Sequence, residues 1–90
     1  MVNNVFAIYD RKVQQFMPPF IMQTVEQARR AFGDTVNDPN HAFFRHPDDY
    51  ELHIIASFDD SKAIFSQDDT IPTLIACGQE LVMNPNREVQ

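Results

Sequence analysis

The chain has 90 residues and forms one small domain; a domain of this size buries only ~60–65% of the surface its unfolded form exposes, which leaves little room for an enclosed catalytic cleft. Apolar residues at 43% and charged residues at 22% exclude a disordered chain. A net charge of −6 argues against general affinity for duplex DNA, because phosphate neutralisation dominates that binding.

Residues 4–9, "NVFAIY", are rich in strand-forming side chains. "DRK" at 10–12 reads as a tight turn in which Asp10 accepts from nearby backbone N–H groups, and "VQQFM" at 13–17 returns as a second strand. Residues 3–17 are therefore expected to form a hairpin. Pro18-Pro19 stops the ladder, since proline has no N–H to donate. "FIMQ" follows as a short extended stretch.

Thr24 opens the clearest helix. It is a good N-cap, and Gln27 completes a capping box. Val25, Ala28, Phe32 and Val36 recur at helical spacing and should face the core. Arg29 and Arg30 lie off the centre of that stripe. Gly33 weakens the helix by ~1 kcal/mol relative to Ala, and marks either close packing or an early end. "NDPN" at 37–40 closes it, because Pro39 disfavours helical geometry at Asp38.

"YELHIIASF" at 50–58 is the best strand of the chain. Strict alternation puts Tyr50, Leu52, Ile54, Ala56 and Phe58 inside, and Glu51, His53, Ile55 and Ser57 on the other face. "DDSK" at 59–62 turns the chain and "AIFS" pairs back. "TIPTLIACG" holds one more short strand, with Pro72 indicating an edge. The expected architecture is α+β: one antiparallel sheet of four to five strands with one principal helix packed on one face. The domain is expected to span residues 1–84, with 85–90 as a frayed tail.

"HPDDYELH" at 46–53 packs two histidines and three carboxylates into eight residues. As a metal site it has the right ligand types at the wrong spacing. Alternate strand residues lie ~6.6 Å apart, so Asp49 and His53 are separated by ~13 Å, whereas zinc donors must converge to about 2.0–2.3 Å from the ion. As an acid–base pair its carboxylates lie at a turn and on a polar face, where water solvates both. No G-x-S-x-G, H-E-x-x-H or phosphate-cradling glycine loop accompanies them. The simpler reading is that Pro47, Asp48 and Asp49 form a turn that launches the strand. The lone Cys77 lies in the apolar run "LIAC", reads as core filler, excludes an internal disulfide, and fits a reducing compartment. The start "MVNNVFAIYDRK" lacks the basic and apolar stretches of a signal peptide. No segment nears the ~18 continuous apolar residues of a membrane span. No enzyme activity, metal or cofactor is expected, and a soluble, cytoplasmic protein is.

"FAIYDRK", "EQARRAFGD", "VNDPN" and "HPDDYELHIIASFDD", in that order, resemble the small nonstructural protein of gokushoviruses, the tailless single-stranded DNA phages of the Microviridae. The resemblance runs from about residue 4 to residue 83. One departure is "SKAIFSQDDTIP", where the family pattern implies a glycine-containing turn. The resemblance implies a protein made in the infected bacterial host and absent from the mature virion. The implied role is in genome handling: the shift from duplex replication to single-strand synthesis, or packaging of that strand. It implies no catalytic residues.

Two functions follow as expectations. The first is single-stranded DNA binding. Arg11 and Lys12 at the hairpin tip, Arg29 and Arg30 on the helix, and Arg45 supply cations; Phe16 and Phe43, with Tyr9 and Phe44, supply stacking platforms. Reversing Arg29 and Arg30 to Glu is expected to abolish binding. The competing reading of these aromatics is core packing, and of the arginines a solvated helix face. The second function is an acidic homodimeric adaptor for phage or host replication and assembly proteins. Its apolar contacts would come from "HAFF" and "FMPPFIM".

Overall fold

The computed structural model describes residues 1–67 and 72–83. The centre of the sheet is an antiparallel pair: β1 (Val2–Asp10) lies against β4 (Tyr50–Asp59). Both outer positions are occupied by two short strands end to end. β2 (Gln15–Phe16) and β3 (Phe20–Met22) both pair with β1. β5 (Ile64–Ser66) and β6 (Thr73–Cys77) both pair with β4. The sheet thus has six strands across four positions. The strand beyond the expected five is β3, the extended stretch "FIMQ", set apart from β2 by Pro18-Pro19. Proline removes a ladder donor, so an edge interrupted by proline splits rather than bends. The expected tail at 85–90 lies outside the described residues.

The principal helix, α1 (Val25–Val36), begins and ends where the sequence indicates. Thr24 Oγ1 accepts from Gln27 N at 3.1 Å, and Gln27 Oε1 accepts from Thr24 N at 3.2 Å, closing the capping box. Thr24→Ala should therefore cost about 1 kcal/mol in a urea melt. Ala28, Phe32 and Val36 are buried against Phe6, Ile8 and Leu52 of the central strands. Gly33 does not mark tight packing: a Cβ there would sit 3.8 Å from Leu81, an ordinary contact. The irregular stretch after "NDPN" contains a short second helix, α2 (Ala42–Arg45), capped by His41, whose Nδ1 accepts from Phe43 N at 3.1 Å.

The two hairpin turns use one device. Asp10 Oδ1 accepts from Lys12 N at 2.9 Å, and Asp59 Oδ1 accepts from Ser61 N at 3.0 Å. Four positions after each aspartate the backbone turns left-handed, at Gln14 (φ 58) and Ala63 (φ 56). The first turn is consequently longer than expected, and only Gln15 and Phe16 of the second arm pair. The missing glycine of "DDSKA" is Ala63. A non-glycine residue in this region is strained by roughly 1–2 kcal/mol. Ala63→Gly should stabilise the protein by about 0.5–1 kcal/mol after the unfolded-state entropy of glycine is subtracted; an unchanged melting midpoint would count against it. Hydrogen bonds from Ser61 hold the Asp59 carboxyl below its ordinary pKa. The N-terminal ammonium, 2.8 Å away, does the same for Asp60.

One expectation about β4 is overturned. Phe6 pairs with Ile54 but Val5 pairs with Ala56, so Ile55 is an extra residue in a bulge. A one-residue slip exchanges the faces of every residue beyond it. Tyr50, Leu52 and Ile54 face α1, as expected. Ala56 and Phe58 face the opposite side, with Val5 and Asn3 as their partners. A second irregularity, in β6 between Leu74 and Ala76, leaves Ile75 as the extra residue of that edge.

Candidate nucleic-acid interface

Alternation along β1 sends Phe6 and Ile8 under α1, and sends Asn3, Val5, Ala7 and Tyr9 to the sheet face that no helix among the described residues covers. The floor of this open face is small and closed to water: Val5, Ala7 and Ala56 are 4%, 1% and 7% exposed. Its margins are large and exposed. Register places one apolar side chain from each edge strand on it: Phe16 opposite Tyr9, Ile21 opposite Val5, Phe65 opposite Phe58, and Leu74 opposite His53. All four are exposed, from 45% at Phe16 to 63% at Phe65.

The aromatics gather at two ends of the face. At one, Tyr9 and Phe16 lie 4.8 Å apart between ring centroids, and the His53 ring meets Phe16 edge-on at 5.2 Å. At the other, Phe58 and Phe65 lie 4.8 Å apart. The first cluster adjoins the basic hairpin tip. Glu51 Oε1 contacts His53 Nε2 at 3.2 Å, and Glu51 Oε2 lies 4.0 Å from Arg11 Nε. The Arg11 backbone N–H donates to Asp49 O at 2.8 Å, and its guanidinium donates to Asp48 O at 3.2 Å. Pro47–Asp49 is a 3₁₀ turn leading into β4, so the "HPDD" segment does launch the strand, and it also anchors Arg11. His53 is less solvated than alternation implied, at 15% side-chain exposure, and its Nδ1 is buried without a partner.

The sequence-derived site residues separate. Arg11 and Phe16 lie at one end of the open face, with Lys12 in the turn that joins their strands. Arg29 and Arg30 are exposed on α1, in the layer across the sheet. Arg45 ends α2 in that same layer, near the turn that holds Arg11. Phe43 is corrected outright as a stacking platform. It is 6% exposed and packed on Phe32 at 5.8 Å and Tyr50 at 4.1 Å, so no base can reach it. Burial there, with Asp10 and Asp49 nearby, pushes the Tyr50 hydroxyl above its ordinary pKa. "FMPPFIM" divides by strand parity: Phe20 and Met22 pack on the core, while Phe16 and Ile21 face outward.

The sequence puts His53 on the polar strand face and Phe58 inside, so neither the His53 ring contact with Phe16 nor the outward Phe58–Phe65 pair is expected from it. The signal for the pair was "HIIAS", where two adjacent isoleucines break the alternation at the bulge. Elsewhere, a hollow of about 340 Å³ lies between the Pro18 loop, α1 and α2. Its polar groups are occupied by helix bonds: Thr35 Oγ1 donates to Ala31 O, and His41 Nδ1 accepts from Phe43 N. Among the described residues no group of three or more His, Cys, Asp or Glu is arranged to hold a metal ion, and no helix is long and apolar enough to cross a membrane.

Fold and face together define a small α+β domain with helices on one side of its sheet and an open, aromatic, apolar surface on the other. The chain belongs to the Phage ORF5 protein family, whose model matches residues 3–81, from β1 through the 3₁₀ turn Gly78–Leu81 that follows β6. It is a bacteriophage protein. No curated protein matches the chain, and no solved structure does.

Proposed function

We propose that this phage protein is a non-enzymatic accessory factor of the gokushovirus type. It supports single-stranded DNA genome synthesis or packaging in the cytoplasm of the infected cell, and it binds single-stranded DNA on the open sheet face. The observation that carries the reading is the Tyr9–Phe16–His53 cluster, exposed at Phe16 and bordered by Arg11 and Lys12. Single-strand binding combines stacking aromatics with nearby cations, and an unstacked base offers the π-face a duplex hides. The overall charge of −6 opposes any nucleic acid, so the reading rests on the local cations Arg11 and Lys12 and on stacking at Phe16.

The test is fluorescence anisotropy with labelled single-stranded and duplex oligonucleotides across a salt series. Single strands should bind in preference to duplex. Stacking is worth ~1–3 kcal/mol per base, so Phe16→Ala should weaken binding by roughly tenfold or more. Arg11→Glu with Lys12→Glu should weaken it and flatten its salt dependence. Arg29→Glu with Arg30→Glu discriminates between surfaces: on the open-face reading it leaves affinity nearly unchanged. Loss of binding in that variant alone would move the site to α1. No binding of either oligonucleotide at low salt would end the proposal.

A further inference from the structure

The open face is larger than a stacking site needs. Two bases would cover the Tyr9–Phe16–His53 end and leave Ile21, Phe58 and Phe65 in water at the other. With four strand positions and nine residues along β1, the face measures roughly 20 Å by 30 Å. Soluble monomers rarely expose an apolar patch beyond a few hundred Å². A footprint of about 600 Å², enlarged by side-chain relief, approaches the ~800 Å² per partner of a standard stable interface. Charge is confined to its two ends: Glu51 beside Arg11 at one, and at the other Asp60, which accepts from Asn3 Nδ2 at 3.2 Å and pairs with the N-terminal ammonium at 2.8 Å.

We propose that the occupant is a second copy of this chain, packed open face to open face about a two-fold axis, and that this association and single-stranded DNA compete for one surface. A two-fold interface uses the same patch on both subunits, so the patch must complement itself. This one does in composition, with apolar margins from all four edge strands around a floor of Val5, Ala7 and Ala56. Two sheets stacked about 10 Å apart would bury those margins between them as in a β-sandwich. Among the described residues no helix is available to cover it, since α1 and α2 both lie across the sheet. The competition rests on the proposed DNA reading; the self-association does not.

The two equilibria have opposite salt dependence. Each copy carries −6, so salt screens their repulsion and tightens the dimer. Salt weakens DNA binding by removing the gain from counterion release. Analytical ultracentrifugation of the full chain, from low to high micromolar, should give a mass of two chains that is favoured as salt rises. Ile21→Glu and Phe65→Glu change side chains already 46% and 63% exposed, far from Arg11, so the folded monomer tolerates them. Both variants should sediment as monomers with an unchanged circular dichroism spectrum, and Ile21→Glu, which leaves both aromatic clusters intact, should bind single-stranded oligonucleotide at least as tightly as the wild type. A wild type that stays monomeric throughout, or folded variants that remain dimeric, would overturn the interface. An oligonucleotide bound to an intact dimer would overturn the competition. A dimer that binds no oligonucleotide, with monomeric variants that bind none either, would leave the interface standing and remove only the DNA function.

Discussion

Gly78→Ala is expected to destabilise the domain by about 3 kcal/mol, near the upper end of overpacking substitutions. Gly78 is buried at the start of the 3₁₀ turn that follows β6. A Cβ built on it would stand 2.3 Å from the Pro47 carbonyl oxygen and 3.3 Å from Val36 Cγ2. The first contact is with backbone, which cannot swing aside as a side-chain tip can. Relief requires the Pro47–Asp49 turn to move, and that turn accepts both hydrogen bonds that hold Arg11. The substitution should therefore lower the melting midpoint and also weaken any oligonucleotide binding that depends on Arg11. Gly33→Ala is the internal comparison. Its methyl meets only Leu81 at 3.8 Å, and helix propensity should make it stabilising by up to ~1 kcal/mol. Equal stability of the two variants would show that the Gly78 contact relaxes without strain.

Gly78 also illustrates where sequence reading stops. The helix was legible because its signals are local: a cap at Thr24, its box partner at Gln27, a stripe from Val25 to Val36, and a stop at Pro39. The strand from Tyr50 was legible for the same reason, through its alternation. What failed was non-local or cumulative. The bulge at Ile55 is one residue of slip, yet it moved Ala56 and Phe58 to the other side of the sheet and so created half of the open face. Phe43 looked like a free platform beside Arg45 because a four-residue helix carries too little periodicity to reveal which side is inward. Arg11 and Arg29 were grouped by charge, but the sheet separates them, and no spacing along the chain encodes that distance. Of the cations and aromatics put forward, the cluster at Arg11, Lys12 and Phe16 survives as one surface because all three belong to a single hairpin, the shortest-range structure in the set.

Asn37→Asp is expected to cost about 3 kcal/mol at neutral pH and markedly less in acid. Asn37 caps α1, and its side chain ties the end of the described chain to the helix. Its Nδ2 donates to Gly33 O at 2.7 Å and to Leu81 O at 2.9 Å, while its Oδ1 accepts from Met83 N at 2.9 Å. Aspartate has the same shape but, when ionised, sets a carboxylate oxygen against two carbonyl oxygens with no hydrogen between them. Two donors are lost and a half-buried repulsion is gained. The Met83 contact is retained, so the change isolates the donor side. Such a carboxyl is more easily protonated in the folded than in the unfolded chain. The full penalty therefore applies above its raised folded pKa and shrinks as pH falls toward the unfolded value, because the protonated acid can donate one of the lost bonds. Wild-type stability measured at the same pH values removes the contribution of the other carboxylates. A penalty that is small at neutral pH, or that does not narrow in acid, would mean the Gly33 and Leu81 bonds contribute little. Leu81 would then be held by its packing on the core rather than by Asn37.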